Sequence, residues 1–353
     1  MENAERGTDG RDDRRPGVPR RTLVKGAAWT VPVIAATVVV PATSASVVPA
    51  PCVPGGASVQ AVDGWAGAGI RRQTVTIPAG ATNIRFTVRG GDGWYSLGAL
   101  VTGMLTPTGS APLEVEIIAG QHGVSGGPHL PYPLEAYRTY GYGRGGVAVP
   151  DHLTYQSAGA GSAIARTDTG EPLVVAGGAG SSSNGFGGAQ IGTGNGNAGL
   201  TAESGHGQYS VHGQLWAGAS GGAVGALPGL GGQGGVTAGR ESEVAGVIVD
   251  PGGSGTAPSV DGGHGGDGGF AAWTDGVGWG GGAGGGGYAG GGGGGVVIAT
   301  HNGHRDGTAA FGGAGSSYVS TGGEVLSSRI VTATPPANES LVHGMVQVFW
   351  DCV

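Results

Sequence analysis

Lysine is almost missing from this chain. The single one is Lys25, and every basic residue after position 45 is an arginine. From residue 46 onward, ten arginines stand against nineteen carboxylates, and the largest basic cluster is the pair Arg71-Arg72. Nucleic acids and anionic membrane surfaces are held by stripes of Lys and Arg, so neither is an expected partner of this segment. A phosphate-binding P-loop needs Gly-Lys-Ser/Thr, which the same shortage excludes. Cysteine occurs only twice, at Cys52 and Cys352, without the close paired spacing of a zinc site. Gly-X-Ser-X-Gly is matched by Gly123-Val124-Ser125-Gly126-Gly127 and Gly218-Ala219-Ser220-Gly221-Gly222, as a glycine-rich chain matches it by chance, and neither has the strand-to-helix setting of a nucleophile elbow. Helical periodicity is absent after residue 46, and a sustained Gly-X-Y repeat with enriched proline, the mark of collagen, is absent as well.

What is present begins with an address. Pro19-Arg20-Arg21-Thr22-Leu23-Val24-Lys25 is followed by a short apolar run over residues 26–40 and by Ala42-Thr43-Ser44-Ala45. A twin arginine, a modest apolar stretch broken by Pro32 and a small-residue ending read as a twin-arginine export signal, cleaved near Ala45. The alternative is an uncleaved N-terminal anchor, although the run is shorter than the roughly 20 residues a spanning helix needs. Residues 1–45 are thus expected to be a signal, residues 46–57 a linker, and residues 58–353 one glycine-rich β domain. In an exported chain the default reading of Cys52 and Cys352 is a disulfide joining both ends of that domain, with two free thiols as the alternative. Such a bridge is worth about 4–5 kcal/mol in the chain-entropy picture.

Strand signals frame the domain. Gln73-Thr74-Val75-Thr76-Ile77 ends at the turn Pro78-Ala79-Gly80. Residues 82–89 then alternate, with Ile84, Phe86 and Val88 on one face and Arg85, Thr87 and Arg89 on the other. Residues 113–118 alternate likewise, Leu173-Val174-Val175 and Val296-Val297-Ile298 are short apolar runs, and Val346, Val348 and Trp350 share a face just before Cys352. The expected fold class is all-β, a β-sandwich-like frame with strands at both ends of the domain.

Between these strands lie the glycines, 83 in all and densest over residues 177–315. Glycine gives up more backbone entropy on folding than any other residue, so such tracts order only if something unusual offsets the loss. Gly262-Gly263-His264, Gly265-Gly266-Asp267 and Gly268-Gly269-Phe270 are successive Gly-Gly-X triplets. A period of three matches polyproline II geometry, whose backbone makes no internal hydrogen bonds. Bare glycine edges let neighbouring segments approach until their backbones bond to each other. The same holds for residues 279–288 and 290–295. The tracts carry Trp273, Trp279 and Tyr288, which flexible Gly/Ser linkers seldom do. The insertions are therefore expected to be polyglycine, polyproline II-type helices.

The order of these blocks resembles a known family. Thr76-Ile77-Pro78-Ala79-Gly80 leads into the strand around Ile84, and Leu173-Val174-Val175-Ala176-Gly177-Gly178 follows. Later come the block over residues 284–293 around Tyr288 and the closing Gly312-Gly313-Ala314-Gly315-Ser316-Ser317-Tyr318-Val319. Together they are similar to the glycine-rich domain of secreted bacterial proteins and of the extracellular part of anaplastic lymphoma kinase-type receptors, over about residues 74–350. The resemblance implies polyglycine helices packed on a β-sandwich, protein-ligand binding in the receptors, and no catalysis by this domain. The chain departs from it at Gly90-Gly91-Asp92-Gly93-Trp94, where the first block is eroded, and in a Tyr- and Pro-rich insert over residues 127–150. No kinase lysine or catalytic loop follows.

Candidate chemistry is sparse. Residues 262–267 echo one calcium β-roll repeat, but such rolls need stacked copies. His301, His304 and Asp306 offer a possible metal loop, and His206 and His212 a weaker one; none reaches the three or four converging ligands a site wants. Glu114 and Glu116 fall on the polar face of a strand, where solvation is the ordinary reading. Trp94, Tyr95, Tyr132, Tyr137, Tyr140, Tyr142 and Tyr155 form either a contact surface or a cover for the sheet edge. No catalytic residue, cofactor or metal is expected, and the functional residues named are Arg20, Arg21 and Lys25 for export and Cys52 with Cys352. The expected role is that of a secreted or envelope-associated, non-catalytic structural or adhesion protein. A binding module for a protein or glycan is the alternative, and an exported hydrolase has least support. The expected partners are envelope components and the export machinery, with membrane contact only through an uncleaved signal. Without Leu-Pro-X-Thr-Gly and an apolar tail, sortase-type wall anchoring is not expected.

Overall fold

The computed structural model describes residues 51–63, 68–94, 96–126, 134–151, 154–182, 206–211, 214–220, 237–239, 248–272, 278–301, 304–333 and 342–352. The export residues Arg20, Arg21 and Lys25, together with Tyr95, Tyr132, His212 and Trp273, lie outside them. Residues Pro49–Val353 form one compact unit. The chain is all-β: the described elements are strands, apart from one 3-10 turn at Leu134–Tyr137.

Ten strands build the frame: β1 Gly55–Gln60, β2 Arg71–Ile77, β3 Ala81–Arg89, β4 Ala99–Leu105, β5 Leu113–Ala119, β6 Ser162–Arg166, β7 Pro172–Ala176, β8 Tyr318–Val319, β9 Val325–Thr332 and β10 Met345–Cys352. They pair into two five-stranded sheets, ordered β1-β10-β3-β4-β9 and β8-β7-β6-β5-β2. Every pairing is antiparallel. Alternation explains the core. Ile84, Phe86 and Val88 of β3, Val346 and Val348 of β10, Val75 and Ile77 of β2, Val115 and Ile117 of β5, and Ile164 of β6 lie in one apolar cluster fed by both sheets. Burying each such side chain contributes about 1.5–3 kcal/mol.

Three details depart from the sequence reading. β1 begins inside the stretch read as linker. Gly55 and Gly56 pair with Trp350 and Phe349 of β10, whose rings lie over the bare α-carbons. A Cβ on Gly56 would come 2.2 Å from Phe349 Cδ1, so glycine here is a strand residue covered by its partner's ring. Second, Asn83 sits at φ 47° where β3 carries an extra residue opposite Trp350, a β-bulge that Asn tolerates better than most residues. Third, Arg89, read as the outward face of β3, is buried and pairs with Asp92 at 2.9 Å.

Asp92 is the polar hub of this end of the frame. Its carboxylate is fully buried and accepts from Arg89 Nη2, from Gly98 N at 2.9 Å and from Val342 N at 3.0 Å. One side chain thereby ties the exit of β3, the entry of β4 and the approach to β10. Burial raises its pKa, only partly offset by Arg89. A carboxyl whose folded pKa lies above 3.8 contributes fully below that pH and loses stability as pH rises through the folded value. Asp92→Ala is expected to cost about 3–5 kcal/mol in urea unfolding, because it removes the carboxylate that pairs with a buried guanidinium and accepts from Gly98 N and Val342 N. D92N is expected to cost less and to remove this group's share of the pH slope.

Six described glycine-bearing segments leave the frame at one end. Residues 90–93 follow β3, 120–123 follow β5, 158–161 precede β6, 177–182 follow β7, 310–316 precede β8 and 342–344 precede β10. Facing sheets normally stand about 10 Å apart because side chains fill the gap. Here the side chains stop and the backbones close up: a Cβ on Gly90, leaving one sheet, would sit 2.1 Å from Gly177 O, leaving the other.

Candidate functional site

The glycine segments make few ladders but many hydrogen bonds, and the partners step by three. From the tract over residues 281–287, Gly281, Gly284 and Gly287 donate N–H to the carbonyls of Gly269, Gly266 and Gly263. Gly282 and Gly285 donate to Ala310 and Gly313, while their own carbonyls accept from Gly294 and Gly291. The carbonyls of Ala283 and Gly286 accept from Ser181 and Gly178. One tract thus bonds to four others at distances of 2.7–3.1 Å, each neighbour meeting every third residue. These tracts are buried, so their backbone groups must find partners within the protein. The sequence reading placed the tracts mainly in residues 177–315. The structure adds the earlier ones: Gly146 donates to Gly284, and Gly286 to Gly159.

Where a side chain occurs, it points out or fills a slot. In the Gly-Gly-X run, His264 and Asp267 lie at the surface side and meet residues 138–147. His264 Nδ1 accepts from Arg144 N at 3.2 Å. Asp267 takes both Arg138 guanidinium nitrogens at 2.7 Å and Val147 N at 2.9 Å. Its oxygens are committed to this pairing, which leaves the calcium reading of residues 262–267 without its carboxylate. Ala283 packs with Ala148 and Ala158.

The described aromatics of this group divide between the interior and its margin. Tyr137 and Tyr142 are buried, and Tyr137 stacks on Tyr155 with ring centroids 4.3 Å apart. Burial pushes the Tyr142 phenol up, and its hydroxyl donates to Ser259 O at 3.2 Å. Tyr140 and Trp94 are half-buried. Glu116 meets Arg72 at 3.4 Å on an exposed sheet face, in keeping with solvation. His301 and His304 oppose each other across the hairpin of strands Val296–His301 and His304–Ala309, with Asp306 opposite Ala299. His206 lies in strand His206–Val211, and Gly218, Ala219 and Ser220 end strand Gln214–Ser220. The disulfide is present: Cys52 and Cys352 are joined with their α-carbons 5.7 Å apart, at the end of β1 and β10 remote from the glycine segments.

One constellation was not singled out from the sequence, which placed no metal site. Asp63, His122 and His343 bring one ligand atom each to within 4.8 Å of one another. Asp63 Oδ1 lies 3.1 Å from His122 Nε2 and 3.3 Å from His343 Nε2. The imidazole centroids are 4.1 Å apart. His122 Nδ1 lies 2.6 Å from Gly123 O, and His343 Nδ1 accepts from His122 N at 3.2 Å. Burial, then the neighbouring His122, lowers the His343 pKa to about 4, with Asp63 opposing, so His343 is neutral at physiological pH. No sequence signal marks the group, because 221 residues separate the two histidines.

Among the described residues, no helix is long and apolar enough to cross a membrane. No protein-family model and no curated protein matches the chain.

Proposed function

We propose that the chain is an exported, non-catalytic glycine-rich scaffold, a secreted or envelope-associated structural or adhesion protein. The observation that carries this reading is the three-residue stepping of hydrogen bonds between tracts. Polyproline II geometry has three residues per turn and no internal bonds, so helices of that kind must bond to their neighbours. The tracts are read as a bundle of polyglycine helices set on the end of a β-sandwich, each rod locked by others on several sides. A body made this way is stiff and presents surface in place of a deep cleft. The similarity of the glycine blocks to secreted glycine-rich domains supports the same reading, as does a disulfide joining the two ends of the domain, a bond that persists in oxidising compartments.

Cell fractionation with an envelope-binding assay tests it. In a bacterial host, wild-type chain is expected in the envelope or medium, with R20K/R21K precursor held in the cytoplasm. Purified mature protein is expected to associate with envelope fractions without saturating. Unimpaired export of R20K/R21K defeats the address. A single saturable protein or glycan partner replaces the scaffold reading with a binding module.

A further inference from the structure

Asp63 lies just past the end of β1, His122 just past β5, and His343 just before β10. The three segments are already bound by backbone. Ala61 N donates to Gly344 O at 3.1 Å, Gly344 N to Gly120 O at 2.7 Å, and Gln121 Nε2 to Val62 O at 3.3 Å. The cluster therefore sits on strand ends held in register, at the end of the β1–β10 pair opposite the disulfide.

Its geometry matches a cation. Zinc bonds of about 2.0–2.1 Å in tetrahedral arrangement put neighbouring ligand atoms about 3.3–3.4 Å apart. The two separations involving Asp63 Oδ1 are 3.1 and 3.3 Å. The His122 ring is oriented as a ligand. Its Nδ1–H donates to Gly123 O, the outer-shell bond that metal-bound histidines typically make. That leaves the Nε2 lone pair aimed at a carboxylate oxygen 3.1 Å away. Two acceptors face each other there, and only a positive charge between them, a proton or a metal ion, makes the contact favourable. His122 and His343 are half-buried while Asp63 is exposed, giving an entry path.

We propose that Asp63, His122 and His343 form a binding site for a zinc-class divalent cation, with a water completing the coordination on the exposed side of Asp63. Imidazole and carboxylate donors suit such borderline ions. Loading requires one rearrangement. With Nδ1 accepting from His122 N, the His343 proton resides on Nε2; on binding it moves to Nδ1, and the 3.2 Å bond from His122 N is given up. The ion then clasps β1, an edge strand, at the end the disulfide does not reach, and joins it to β5 of the other sheet.

The test is calorimetric titration of zinc into the chelator-stripped mature protein, repeated with cobalt for its tetrahedral absorption bands. One ion per chain is expected, together with a raised Tm. H122A and H343A are expected to weaken binding more than about 100-fold, beyond the 10–100-fold that loss of an outer-shell partner brings. Asp63→Asn is the variant least able to disturb folding, since the side chain is 82% exposed, and it too should lose the tetrahedral cobalt spectrum. H301A/H304A, on the distant hairpin, should bind normally. Absence of stoichiometric binding overturns the site. So does binding that survives in D63N and H122A, or that disappears in H301A/H304A.

Discussion

Gly284→Ala is expected to cost more than about 5 kcal/mol or to prevent folding, although the same exchange in an open extended segment usually stabilises by about 0.4–1 kcal/mol. The sign reverses because of what surrounds the α-carbon. A Cβ at position 284 would stand 2.1 Å from Gly291 O and 2.8 Å from Gly292 O, both backbone atoms of a neighbouring tract. That tract cannot step aside, since Gly291 donates to Gly285 and Gly294 to Gly282 on the same side. Gly284 cannot retreat either, because its N–H bonds to Gly266 O and its carbonyl to Gly146 N, each at 2.8 Å. Relief of the clash requires separating at least one pair of tracts. Each buried backbone group left without a partner costs about 1–3 kcal/mol, and several are lost together. Gly109→Ala is the control: nothing lies within 4 Å of its Cβ position, and it should be neutral or mildly stabilising. If Gly284→Ala and Gly109→Ala unfold at the same denaturant concentration, or if amides over residues 281–294 exchange at random-coil rates in the parent, the tracts are not packed rods.

The same bonding pattern explains which parts of the fold could be read from the chain. The alternation of Ile84, Phe86 and Val88 required one buried strand face, and β3 has it. Trp350 and Cys352 at one end of the chain and Cys52 at the other suggested a closed domain, and β1 pairs with β10 beside the bridge. The Gly-Gly-X triplets set a three-residue period, and hydrogen-bond partners step by three. What stayed hidden was partnership. Strands β4 and β9 are weakly patterned: Gly103 interrupts the first and Ser327-Ser328 the second, so neither stands out until the other supplies its ladder. Arg89 alternates outward by parity, yet Asp92, three residues on and beyond the end of β3, pairs with it and both are buried. Periodicity reports which way a side chain points within an element, not what the chain beyond that element places against it. Asp63, His122 and His343 are the extreme case. Each flanks a different strand and none has a motif around it, so only the sheet order β1-β10 and the approach of β5 from the other sheet bring them together.

Removing the disulfide with C52S/C352S is expected to lower global stability by about 5 kcal/mol in the chain-entropy picture, for a bridge that spans 300 residues. The size follows from loop length, but the position decides how the loss is expressed. Cys52 precedes β1, whose only ladder among the described residues is with β10. β1 gives the core just the half-buried Ala57 and Val59, and Trp350 Nε1 reaches back to Val53 O at 3.0 Å. An edge strand with so little apolar burial detaches more cheaply than the sheet behind it unfolds. With the bridge intact, fraying of β1 from its first residue is forbidden, and opening must start from the end at Asp63. Without it, both ends are free. Two consequences separate the global effect from the local one. The denaturant midpoint should fall and the m-value rise if the bridge acts by holding the unfolded chain compact. Amides of β1 and their partners on β10 should exchange faster than those of β3 and β4 only if the strand peels off separately. Midpoints that coincide for C52S/C352S and wild type, measured without reductant, would mean that the two ends of the domain are held by the ladder alone.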